Sequence, residues 1–139
     1  MIVDLEEKPT ESGTFELKGG GSVDLRLLSA EDIMAIRKAT VTVKAEYPLL
    51  KDPATGQERY QRFEAPQFDS DLWDEMMWDR GITGYKDLFD KNKKPIPVSR
   101  EMKALLMRKV PEFRQAYTDG LKVLQERDKA KAEAAPGNL

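Results

Sequence analysis

The chain has 139 residues, and 23 Lys and Arg against 25 Asp and Glu leave a formal net charge of -2, a balance that argues against a general polyanion binder. With no cysteine and no histidine, disulfides, thiol nucleophiles, thiolate-bound zinc and the commonest general base are all excluded. A chain of this length can bury about 68% of its unfolded surface in one domain. No stretch approaches the roughly 18 apolar residues of a membrane span, and Met1 to Glu7 lacks the basic and apolar regions of a signal peptide; a soluble, cytosolic protein is the expectation.

In chain order, Phe15-Glu16-Leu17-Lys18 and Val23-Asp24-Leu25-Arg26-Leu27 alternate apolar with polar around Gly19-Gly20-Gly21-Ser22. Period two places Phe15 and Leu17 on one face and Val23, Leu25 and Leu27 on the matching face of a second strand, and the glycines permit positive φ, so a β-hairpin is predicted. Ser29 before Ala30-Glu31-Asp32 reads as an N-cap with acids in the first helical turn. Ile33, Ile36, Thr40 and Val43 would share a face of that helix, which the β-branched run Thr40-Val41-Thr42-Val43 weakens.

From Lys44 to Ala65, Asp52-Pro53-Ala54-Thr55-Gly56 supplies turn chemistry between runs bearing Tyr47 and Tyr60/Phe63. A second hairpin or an ordered excursion fits, with Pro48 confining its arm to a sheet edge. A helix is expected from Ser70 to near Gly81, ended by glycine in the left-handed C′ conformation. Another follows Ser99, with Met102, Leu105 and Leu106 on one face, and Pro111 opens a last helix with Phe113, Tyr117, Leu121 and Leu124 in a stripe beside Ala116 and Gly120. Past Gln125 the apolar pattern fades. The chain thus reads as α+β, an N-terminal hairpin packed with a bundle of about four helices: one domain over 1–124 and a polar, frayed tail over 125–139.

The stretch Leu72 to Tyr85, LWDEMMWDRGITGY, holds both tryptophans and two of the six methionines. At about 100° per residue Leu72, Trp73, Met76 and Met77 form a core-facing stripe with the stem of Arg80 along it, while Trp78 falls beside Asp74 and Glu75. Trp78 is then either covered by Ile82 to Phe89 or part of a surface that receives a partner, where aromatics and methionine are enriched. Pro95-Ile96-Pro97 reads as a stiff extended spacer that delivers Ser99 as an N-cap, with Ile96 pointing inward.

Three pieces, FELKGGGSVDLRLLSAEDI, WDRGITGYKDLFDKNKKPIPVSRE and LLMRKVPEFRQAY, together resemble the tail assembly chaperones of long-tailed bacteriophages. In that family a glycine-aromatic bend (here Gly81, Gly84, Tyr85), a polar turn (Asp90-Lys91-Asn92-Lys93), a Pro-x-Pro step and a Ser-capped helix recur in this order. The bend departs from the pattern with Tyr85 for tryptophan and Asn92-Lys93 for a glycine turn. The resemblance implies a non-enzymatic factor, without cofactor, that binds and solubilises the helical tape-measure protein, promotes assembly of tail-tube subunits and acts in the host cytoplasm without being retained in the virion. It also implies a frameshifted longer form of the same chain. The partner-binding candidates are Trp73, Met76, Met77, Trp78, Met102 and Tyr117, with Leu106 and Phe113 read mainly as core.

Residues 64–79 carry six acids and no base, and residues 86–109 carry eight bases and three acids. These segments pair within one molecule or between copies of a homo-oligomer, the first being favoured. A divalent-cation site on Asp69, Asp71, Asp74, Glu75 and Asp79 lacks the glycine spacing of an EF-hand, and a nucleic-acid surface on Lys91, Lys93, Lys94, Arg100 and Lys103 with Tyr85 or Phe89 lacks a reading motif. A small phage structural or head-tail adaptor protein is the main alternative function.

Overall fold

A computed structural model describes residues 1–3 and 9–134; Asp4 to Glu7 of the start considered above, and the last five residues of the expected tail, lie outside the described residues. The architecture is α+β. Strands β1 (Ser12–Glu16) and β2 (Ser22–Arg26) form the expected antiparallel hairpin, with Phe15 opposite Val23, and Gly19, Gly20 and Gly21 turn it at φ 100°, 110° and 84°. Helix α1 (Ala30–Thr40) starts at a full capping box, in which Ser29 Oγ accepts from Asp32 N–H and the Asp32 carboxylate accepts from Ser29 N–H.

The helix stops one turn short of Val43. Its β-branched end passes directly into β3 (Val41–Glu46), so Val43 belongs to a strand and is 67% exposed instead of sharing a helical face. The segment that follows is a hairpin: β4 (Leu49–Lys51) continues the arm of β3, and β5 (Glu58–Tyr60) and β6 (Phe63–Phe68) return along β4 and β3 in one register, from Val41 opposite Phe68 to Lys51 opposite Glu58. The turn uses Asp52 as acceptor for Ala54 N–H and Gly56 at φ 74°.

Helix α2 (Ser70–Gly81) is capped by Asp69, whose side chain accepts from Leu72 N–H, and runs straight into β7 (Ile82–Lys86). Gly81 therefore does not take the expected left-handed C′ conformation: the cap is the extended Ile82, whose N–H donates to the Trp78 carbonyl. β7 completes a sheet of order β1-β2-β7. The spacer behaves as predicted, since Phe89 bridges Pro95, Ile96 N–H donates to Leu88 C=O at 2.9 Å, and Ile96 packs against the core.

Helix α3 (Arg100–Lys109) is capped by Ser99, and α4 (Pro111–Ala134) opens on Pro111. α3 buries Lys103, Ala104, Leu106 and Met107 and leaves Leu105 exposed, so its inner face lies to one side of the expected stripe. On α4 the buried line is Phe113, Ala116, Gly120 and Leu124, with Tyr117 and Leu121 half-buried beside it. Residues 125–134, expected as frayed tail, are helical: Ala, Lys, Glu, Arg and Gln keep high helix propensity after the apolar pattern ends, and Lys131 reaches Glu11 at 2.7 Å.

The core lies between the three-stranded sheet and α3–α4. Val23, Leu25, Ile82, Phe113 and Leu124 are wholly buried there, and Tyr85 meets Phe113 edge-on with centroids 5.9 Å apart. The Tyr85 hydroxyl donates to the Pro97 carbonyl, so the tyrosine ties the bend to the spacer. Lys93 in the polar turn takes the left-handed conformation, at φ 59°. Among the described residues no helix is long and apolar enough to cross a membrane.

Candidate functional site

Asp32 is the electrostatic joint of the molecule. Its carboxylate accepts from Arg26 at 2.8 and 3.2 Å, from Arg80 at 2.8 Å and from Ser29 N–H at 2.9 Å, linking β2, α1 and α2. The Arg26 guanidinium is the main reason its pKa lies far below the usual carboxylate range, and burial opposes that shift without cancelling it. Arg26 is thereby held in place at the wall of a cleft.

That cleft, about 320 Å³, lies between α1, α2 and α4. Leu27, Leu28 and Ile33 line it from the β2–α1 junction, Met77 from α2, and Tyr117 and Leu121 from α4, with Arg26 and Gln125 as polar groups. Tyr117 lies over Gly81, its hydroxyl 3.8 Å from where a Cβ would be, an ordinary contact distance. Burial, followed by the negative charge of Asp74, raises the Tyr117 phenol pKa, so it stays a neutral donor.

Of the six candidate residues, Met77 and Tyr117 meet in this cleft. Trp73 lies instead at the root of the hairpin arm, edge-on to Phe68 at 5.7 Å. Trp78 packs against the core and is covered from α3 by the Arg108 guanidinium, 5.5 Å from its ring centre. Met76 and Met102 are half-buried and do not line the cleft. α2 has no fully buried side chain at all: it is flanked by α1 and α3, so each of its apolar residues is covered in part.

The opposite charge runs pair internally, Glu75 with Arg108 at 2.9 Å and Asp79 with Lys103 at 3.2 Å. Lys103 is 8% exposed, and Tyr85 is inside the core, so two members of the nucleic-acid surface considered above are spent on packing. Glu75 and Asp79 are likewise committed, and among the described residues no group of three potential ligands is placed to hold a metal ion.

Periodicity did not point to the arm as a surface. On one of its faces Val41, Val43, Ala45, Tyr47 and Leu49 alternate along one strand opposite Phe68, Pro66 and Tyr60 on the other, and all but Ala45 and its neighbours Glu64 and Arg62 are apolar and exposed. The signal was the period-two run Val41 to Leu49, masked by the helix before it. No protein-family model matches the chain, and no curated protein and no solved structure matches it.

Proposed function

We propose that this chain is a non-enzymatic tail assembly chaperone of a long-tailed bacteriophage, working in the host cytoplasm and left out of the finished virion. Its client is the tape-measure protein, whose amphipathic helices expose apolar stripes before the tail tube closes around them. The observation that carries the reading is the open cleft in which Met77 and Tyr117 stand with Leu27, Ile33 and Leu121. A groove of deformable thioether and aliphatic side chains takes the i, i+3, i+4 anchors of a client helix and tolerates many sequences. Gln125 at its margin offers a polar group to the client's backbone.

The test is co-expression with the product of the large open reading frame downstream. The intact chain raises the soluble yield of that product and co-purifies with it, and Met77→Glu, with an unchanged circular dichroism spectrum, abolishes both. Equal rescue by the folded Met77→Glu protein would remove the cleft from the mechanism. Detection of the chain in purified particles would favour a structural component instead.

A further inference from the structure

The hairpin arm has one open edge and one blocked edge. Gln61 N–H donates to Pro48 C=O at 3.2 Å, Asp52 N–H to Gln57 C=O at 2.8 Å, and Asp69 N–H to Thr40 C=O at 2.9 Å. In the single register of the arm, all three bonds turn the even-numbered residues of its first strand inward. Val43, Ala45 and Tyr47 therefore aim their backbone N–H and C=O groups outward. The same alternation aims Pro66, opposite Val43, outward on the β6 edge, where it offers no donor. The β3 edge is the one able to accept another strand, and the sheet ends there with two strands.

We propose that β3 pairs antiparallel with β3 of a second copy about a two-fold axis at Ala45, joining the two arms into a four-stranded sheet. Charge selects that register. An axis at Lys44 sets two lysines opposite each other, which is repulsive. An axis at Val43 sets Lys44 against a threonine. With the axis at Ala45, Lys44 faces the second copy's Glu46, and the symmetry repeats the pair. Both residues are exposed, and neither makes an ion pair among the described residues. On the opposite face the same register sets Val43 against the second copy's Tyr47 and Val41 against its Leu49, bringing two exposed apolar stripes side by side in cross-strand contact. The inference does not depend on the client cleft, which lies between α1, α2 and α4.

Sedimentation of the full chain over a concentration series, at low and high salt, tests it. The wild-type chain is expected to be dimeric. Lys44→Glu and Glu46→Lys should each raise the dimer Kd about tenfold or more, while their equimolar mixture forms a heterodimer and the double variant Lys44→Glu/Glu46→Lys regains the dimer. Ala45→Pro, which removes an outward donor, should give a monomer with the wild-type circular dichroism spectrum and a Tm that no longer depends on concentration; if it does not fold, the charge-exchange mixture still decides. A wild-type monomer at every concentration, or a dimer or larger oligomer indifferent to the charge variants, overturns the proposal. Met77→Glu should leave the dimer intact, so a client-binding failure and a pairing failure are separable.

Discussion

Gly120→Ala tests whether the seat of α4 on the hairpin is as tight as its geometry says. In an ordinary helix interior the change stabilises by about 1 kcal/mol, because glycine loses more backbone freedom on folding. Here a Cβ at position 120 would stand 2.7 Å from Leu25 Cδ1 and 2.8 and 3.0 Å from Phe15 Cδ2 and Cγ. Carbon atoms pack at about 3.5–4.0 Å, so the overlap is close to 1 Å on two sides. Leu25 is wholly buried and cannot swing away, and the Phe15 ring is itself packed against the core. Relief has to come from α4 moving outward, at an overpacking cost of about 1–3 kcal/mol. After the propensity gain, a net loss of up to about 2 kcal/mol and a Tm lower by up to about 7 °C are expected. Thermal unfolding by circular dichroism reads it, and Phe15→Leu in the same chain should recover part of the loss as a coupling energy. A rise in Tm would refute the reasoning. Because Tyr117 and Leu121 flank this contact, the variant should also weaken client binding.

Asp32→Asn removes the charge that neutralises two guanidiniums and should cost about 2–3 kcal/mol at pH 7, less than a fully buried pair because Arg26 and Arg80 are partly exposed. The carboxyl pKa is depressed on folding, so its stabilisation is present above the unfolded carboxylate value of about 4 and is lost as pH falls toward the folded one. Denaturant titrations should show the wild-type advantage shrinking below about pH 4; a constant gap contradicts the assignment. Lys93→Gly relieves a left-handed residue at φ 59° and should stabilise by about 0.5–1 kcal/mol, seen as a higher urea midpoint, and a lower midpoint would mean the side chain matters more than the backbone. In a Trp73→Phe background, Arg108→Ala should shift Trp78 emission to the red by uncovering the ring, with stability changed by less than about 1 kcal/mol; unchanged emission would show that α3 does not shield it.

Local chemistry was readable wherever one residue sets one backbone conformation. Three glycines at positive φ, Ser29 and Ser99 as caps, Pro111 as a helix start and Asp52 with Gly56 in the arm's turn all fall where expected. The misplacements share a cause. Ile33, Ile36, Thr40 and Val43 fit a helical face, but Val41, Val43 and Ala45 fit a strand equally well, and only the β-branched run tells them apart. Gly81 suited a left-handed cap, yet the next strand starts one residue later and keeps the backbone extended. The cleft was the least readable feature, because Met77 and Tyr117 are brought together by the packing of α2 and α4, which periodicity along either helix does not encode.

The aromatic-rich stretch shows why composition alone misassigns surfaces. Half-burial of Trp73, Met76, Met77 and Trp78 follows from α2 lying between two other helices, so it is what a structural helix in that place must have. The arm is the contrary case: Tyr60 is 73% exposed and Val43 nearly as open, on a two-stranded ribbon with no helix packed along its length. A two-stranded ribbon of this kind is marginal in water by itself, and beyond the contact of Phe68 with Trp73 at its root its apolar face is largely open. Cross-strand contact with a second arm would bury part of this stripe, and the Lys44 and Glu46 pair on the opposite face selects the register we propose for it.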